Sequence, residues 1–150
     1  MKFSAQEEID APAAEVFARI SDADRFEERV RERGGKIARS PAEGFGIGTT
    51  WDALVAIRGK SRKLTMKMVD MTPGERMSFE GGTSGMDLNV ILDTTALTPK
   101  RTRMRLQVEA KPKTLAARLL IQSAKLAKGR IDRRFKDRFS DFAKAMAFGR

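Results

Sequence analysis

The last third of the chain constrains the fold most. Ala117, Leu120, Ala124, Ile131, Phe135, Phe139, Phe142 and Met146 recur at three, four and seven residues, the spacing of one face of an α-helix. Ile121 and Ala127 flank that stripe. From Gly48 to Glu109 the pattern changes to the alternation of antiparallel strands. A single long helix that follows such strands can bury its stripe by lying across them, and the sheet must then curve to close over it. That arrangement encloses space between sheet and helix, so a cavity is the first functional expectation.

The remaining elements can be placed from local signals. Lys2–Ile9 reads as the first strand, with Phe3, Ala5 and Ile9 at even spacing. Asp10-Ala11-Pro12 then opens a short helix, Asp10 as its cap and Pro12 in its first turn, with Val16, Phe17 and Ile20 on its apolar side. Ser21-Asp22 restarts the chain into a second short helix over Asp24–Arg33, stopped by Gly34-Gly35. Strands are predicted at Lys36–Arg39, Thr49–Ile57, Ser61–Met71, Arg76–Gly81, Met86–Ala96 and Arg101–Lys111. Turn-formers separate the later ones: Arg58-Gly59-Lys60, Thr72-Pro73-Gly74-Glu75, Gly81–Gly85 and Thr98-Pro99-Lys100. Such short connections make an antiparallel meander. Trp51–Ile57 is ambiguous, because Leu54 and Ala56 make both of its faces partly apolar.

Composition narrows the chemistry. The 150 residues suit one domain, 1–150, and with 33% charged and 41% hydrophobic residues the chain is globular. No cysteine is present, which removes disulfides and thiolate metal sites. Histidine and tyrosine are absent as well, so a catalyst would have to rely on Asp, Glu, Lys, Arg or water. No converging carboxylates suggest a metal, and no cofactor is expected. No apolar run approaches the ~20 residues that span a bilayer, and Met1–Glu8 lacks the apolar stretch of a secretion signal. A cytoplasmic location is the resulting expectation. The net charge of +10 is unevenly distributed: 18 basic and 17 acidic residues up to Ala110, 12 and 3 from Lys111 onward. The basic field therefore belongs to the C-terminal helix.

The order of strand, two short helices, curved antiparallel sheet and long C-terminal helix resembles the α+β helix-grip fold of the START-like, or SRPBCC, superfamily. Glu8–Phe17 followed by Ile20-Ser21-Asp22 is similar to its opening strand–helix segment. Gly48-Thr49-Thr50-Trp51 resembles the start of its central strands, and Met71–Met77 its Pro-containing hairpin. Leu97-Thr98-Pro99 and Thr102-Arg103-Met104 resemble the following turn and strand. The similarity covers essentially the full length. The superfamily includes lipid and sterol carriers, hormone receptors, polyketide cyclases, quinone-binding proteins and chaperone co-activators, so the resemblance implies a pocket without naming a reaction. No catalytic pattern of a subfamily maps onto this chain.

The candidate ligand-binding face follows from alternation. Leu64, Met66 and Met68 form one apolar side, with Met77 and Phe79 after the hairpin. Leu88, Val90 and Leu92 continue it, as do Met104, Leu106 and Val108. Leu120, Ala124, Ile131 and Phe135 oppose them from the helix, and Trp51 is a candidate for the wall. Methionine suits a cavity that adapts to varied apolar shapes; plain hydrophobic core explains the same residues. Lys128 shares the helical stripe and is a candidate anchor for an anionic head group, unless its long stem carries the charge to water. Gly44-Phe45-Gly46-Ile47-Gly48 is not a Walker loop, because Thr49-Thr50-Trp51 opens a strand where a Lys-Ser/Thr and a helix are required. It reads as a loop gating the cavity together with Gly81–Gly85.

Binding or transport of a small hydrophobic molecule (a lipid, quinone or polyketide) is the function these readings favour. A cyclase-like enzyme using Asp52, Asp70 or Lys128 with water is an alternative. Another is a module that docks its basic helix on RNA, a ribosome or an acidic protein. Leu115, Leu119 and Leu126 form a second apolar line on that helix beside Arg118 and Lys125. An anionic membrane surface, a homodimer contact or burial beneath the Phe45 loop would each account for it.

Overall fold

In the computed structural model, residues 1–57 and 59–147 are described, apart from the side chains of Ile57, Met146 and Ala147. Arg58, placed in a turn above, and the side chain of Met146, the last of the stripe, lie outside the described residues. The chain runs β1 (Lys2–Ile9), α1 (Ala13–Ile20), α2 (Ala23–Glu32), β2 (Lys36–Ser40), β3 (Thr50–Ile57), β4 (Lys60–Thr72), β5 (Arg76–Gly82), β6 (Met86–Thr98), β7 (Arg101–Pro112), α3 (Leu115–Leu126) and α4 (Lys128–Ala147). The seven strands form one antiparallel sheet in the order β1-β7-β6-β5-β4-β3-β2. The α+β helix-grip architecture expected from the sequence is the one observed.

Register settles which residues face the helices. Trp51 pairs with Met66 and Ala53 with Leu64, so Trp51, Ala53 and Val55 share the inner face, while Leu54, opposite Lys63, lies on the outer one. In β4 the pairing jumps from Met68–Phe79 to Asp70–Ser78, a bulge at Val69. The bulge reverses the alternation and brings Met71, opposite Met77, onto the inner face, where it packs against the core.

Two buried clusters hold the fold. Ala5, Ile9, Ala11, Val16, Met104, Phe139 and Ala143 join β1, β7, α1 and the second half of α4. Ala23, Trp51, Met68 and Met77 join α2 to β3, β4 and β5, with Phe45 and Phe79 packed against them. Fully buried Thr102 donates its hydroxyl to the Ala11 carbonyl at 2.7 Å, fixing β7 to the turn before α1. Buried Glu27 of α2 faces the Arg39 guanidinium of β2 at 3.4 Å, so the charge carried inside is compensated.

Three local expectations are corrected. The C-terminal helix is two helices: Ala127, at φ −110° and ψ 19°, ends α3, and its carbonyl then accepts from Arg130 and Ile131 as α4 begins. Gly129 weakens helix propensity at that point and permits the kink. The residue before α1 is Pro12, without a side-chain cap, and Asp10 instead lies 3.9 Å from Arg101. α2 begins one residue earlier than expected, capped by Asp22, which accepts from the Arg25 amide at 3.2 Å.

Candidate functional site

The inner face of the sheet is closed in one region and half-open in another. Met68, Met77 and Met104 are at most 1% exposed. Leu64, Met66, Phe79, Leu88, Val90, Leu92, Leu106 and Val108 are only half-buried, although register places them on the same face. The cause lies in the helices. α1, α2 and the second half of α4 bring Val16, Ala23, Phe139 and Ala143 down onto the closed region. α3 packs chiefly against β7 and α4, and it presents small Ala117 and Ala124 inward. Leu120, Ile131 and Phe135 on the helix side are half-buried too.

Cross-strand pairing makes this region continuous. Phe3, Val108, Val90 and Phe79 succeed one another across β1, β7, β6 and β5, and the Phe3 and Phe135 rings lie 5.6 Å apart. In the adjacent row Gly81 stands between Leu88 and Met66. A side chain cannot be accommodated there, because a Cβ on Gly81 would lie 1.8 Å from the Thr65 carbonyl oxygen. The row thus carries a gap in its side-chain layer.

Trp51 closes the region on the β3 side. It is 7% exposed and held between Phe45 at 6.1 Å and Phe79 at 5.8 Å, both edge-on. Its indole N–H has no hydrogen-bond partner among the described residues. Phe45 packs on the core, and its loop and Gly81–Gly85 leave opposite ends of the antiparallel strands.

The polar candidates lie elsewhere. Lys128 is exposed at the start of α4; its ammonium is 3.2 Å from Asp132, 3.4 Å from the Lys2 carbonyl and 5.3 Å from the centre of the Phe3 ring. Asp52 accepts from the Thr65 hydroxyl at 3.0 Å on the outer face. Asp70 is exposed on that face as well, in a polar cleft of about 730 Å³ with Arg76, Asp93, Arg103 and Arg105. Arg76 and Asp93 are already paired there at 2.6 Å, which raises the affinity of the guanidinium for its proton. Of the three polar residues named for a cyclase-like reaction, Asp52 and Asp70 lie on the outer face, and Lys128 meets the apolar inner residues only at the Phe3 ring. Among the described residues no group of Asp and Glu could hold a metal ion.

Sequence reasoning missed several contributors to the inner face, among them Phe3, Ala5, Ile37, Ala53, Val55, Met71 and Ala110. Phe3 was visible as the first alternating residue of β1. Met71 was hidden by the bulge, whose only sign is that Met68 and Val69 are adjacent and both apolar.

Comparison with known proteins agrees with this architecture. The family model described as polyketide cyclase / dehydrase and lipid transport matches residues 1–147. No curated protein sequence matches. The crystal structure of TTHA0849 from Thermus thermophilus superposes with a TM-score of 0.73 at 12% identity, covering 99% of both chains. A START superfamily protein from Mycobacterium smegmatis gives 0.57 at 15% identity, over 88% of this chain and 97% of that one. The Zhui aromatase/cyclase from Streptomyces sp. R1128 gives 0.59 at 14% identity, over 76% of this chain and 69% of its own. At such identities the likeness concerns the fold, whereas the family match spans nearly every residue. The chain belongs to the polyketide cyclase / dehydrase and lipid transport family, within the START-like, or SRPBCC, superfamily.

Proposed function

We propose that this protein binds a small hydrophobic molecule, a lipid, quinone or polyketide, against the half-open inner face beneath α3, and carries it without transforming it. The observation that supports this reading is the contrast along one sheet face. Three methionines are fully buried, while apolar neighbours on the same face keep part of their surface accessible. An apolar ligand would complete that burial at ~25 cal/mol per Å² removed from water. Leu64, Met66, Leu88, Val90, Val108 and Leu120 are the residues it would touch first, with Ala124, Ile131 and Phe135 from the helix side. Trp51 would supply the wall, and its indole N–H a donor for a ligand oxygen. Lys128 keeps a secondary role: an anionic head group at the β1 edge would have to compete with Asp132 for its ammonium.

The chain has one tryptophan and no tyrosine, so Trp51 can report binding directly. Titration with the neutral probe N-phenyl-1-naphthylamine should give saturable energy transfer from Trp51 with one site per chain. Absence of saturable transfer, with the protein folded, would remove the reading.

A further inference from the structure

Helix α3 is apolar on two opposite faces. At about 100° per residue, Leu115, Leu119 and Leu126 fall within about 40° of one another and opposite Ala117 and Ala124. The alanines are buried toward the sheet; the leucines are 72%, 56% and 93% exposed. A helix lying on a protein ordinarily turns polar residues to water at that pole. Here the pole is a ridge of leucines, with Arg118 and Lys125 along one side. Neither of these, nor Arg130 just beyond the kink, has an ion-pair partner among the described residues. Residues 111–134 contain eight basic residues and one acidic residue.

We propose that the Leu115–Leu119–Leu126 ridge of α3 docks this protein on an anionic lipid bilayer, the leucines entering the acyl boundary while Arg118, Lys125 and Arg130 meet the headgroups. The partner is chosen by the combination of groups. A second copy of the chain would bring the same excess of positive charge against itself. A nucleic acid would satisfy the charges but leave three leucines in contact with phosphates and water. An anionic bilayer offers an apolar phase beneath a negative surface, and a basic amphipathic helix matches both layers. The inference stands on α3 alone, so its failure would leave the ligand-binding reading untouched.

The test is co-sedimentation of the full chain with phosphatidylcholine vesicles made with and without phosphatidylglycerol. The wild-type protein should sediment with the anionic vesicles and far less with the neutral ones. Leu119→Ser with Leu126→Ser should weaken binding at least tenfold. Arg118→Gln with Lys125→Gln should weaken it about 30-fold, at ~1 kcal/mol per charge. All four positions are exposed, so circular dichroism should show every variant folded. The proposal is overturned if the wild-type protein ignores anionic vesicles. It is also overturned if binding survives the loss of the leucines, which would make the contact purely ionic. Leucine-dependent dimers, or binding to an RNA duplex, without vesicle binding would assign the ridge to another partner and overturn it too.

Discussion

Met68 and Met66 lie two residues apart on the same face of β4, and the ligand-binding account requires them to behave differently. Met68 has no exposed surface and sits within the cluster of Ala23, Trp51 and Met77. Truncation to alanine there loses the transfer free energy of the side chain and leaves a cavity that its neighbours cannot refill. Such substitutions cost about 2–5 kcal/mol, and a methionine so enclosed should fall near ~3. Met66 keeps part of its surface accessible beside Gly81, where the layer is already missing a side chain. Its truncation loses only a fraction of the transfer term and creates little new void, which gives ~1 kcal/mol. For a chain of this size each kcal/mol moves the melting temperature by about 2–4 °C. Met68→Ala should therefore melt about 6–12 °C below the wild type and Met66→Ala about 2–4 °C below it. Urea unfolding should give the same order with unchanged m-values. Equal losses at the two positions would mean that the inner face is uniformly packed core, and the reasoning from half-burial would fail.

Four further outcomes follow from local geometry. Gly81→Ala should destabilise the fold by about 1–3 kcal/mol or more, because its Cβ meets the Thr65 carbonyl. Gly46→Ala, with open space around its Cβ, should stay within about 0.5 kcal/mol of wild type in the same thermal melts. Thr102→Val keeps the shape of the side chain but strands the buried Ala11 carbonyl, and chemical denaturation should register a loss of about 1–3 kcal/mol. The half-exposed Glu109 carboxyl is held below its ordinary range, first by its hydrogen bond to Lys111 and then by the charges of Lys111 and Lys2. A depressed folded-state value means that its stabilisation is present above the unfolded carboxylate range and is lost as pH falls through the folded value. NMR titration should place Glu109 below free glutamate, and Glu109→Gln should flatten the acid limb of the stability profile; a Glu109 titrating like free glutamate contradicts the assignment.

The parts of the fold that were legible are those where one strand face is wet. In β6 and β7, Leu88, Val90, Leu92, Met104, Leu106 and Val108 alternate with charged or amide residues almost throughout, and that alternation alone puts each on the face where the strand pairing holds it. β3 could not be read that way, because Leu54 pairs outside with Lys63 while Ala53 faces in. Only the partner strand decides between them. The bulge at Val69 and the break at Ala127 are departures from a repeat, visible once the partners that force them are in place. Lys128 illustrates the same limit. Its helical position predicted a charge among apolar residues, yet Asp132 stands four residues on, and that i,i+4 pair with the Phe3 ring satisfies the ammonium at the sheet edge. The leucine ridge was evident from spacing alone; its outward direction needed the sheet.

Native mass spectrometry of gently purified protein, followed by organic extraction of whatever is bound, tests the central claim most directly. The account predicts a discrete apolar adduct at one per chain, displaced by N-phenyl-1-naphthylamine and diminished in Met66→Ala relative to wild type. A clean mass with no adduct, together with no saturable uptake of the probe, would contradict it and leave the face beneath α3 as loosely packed core.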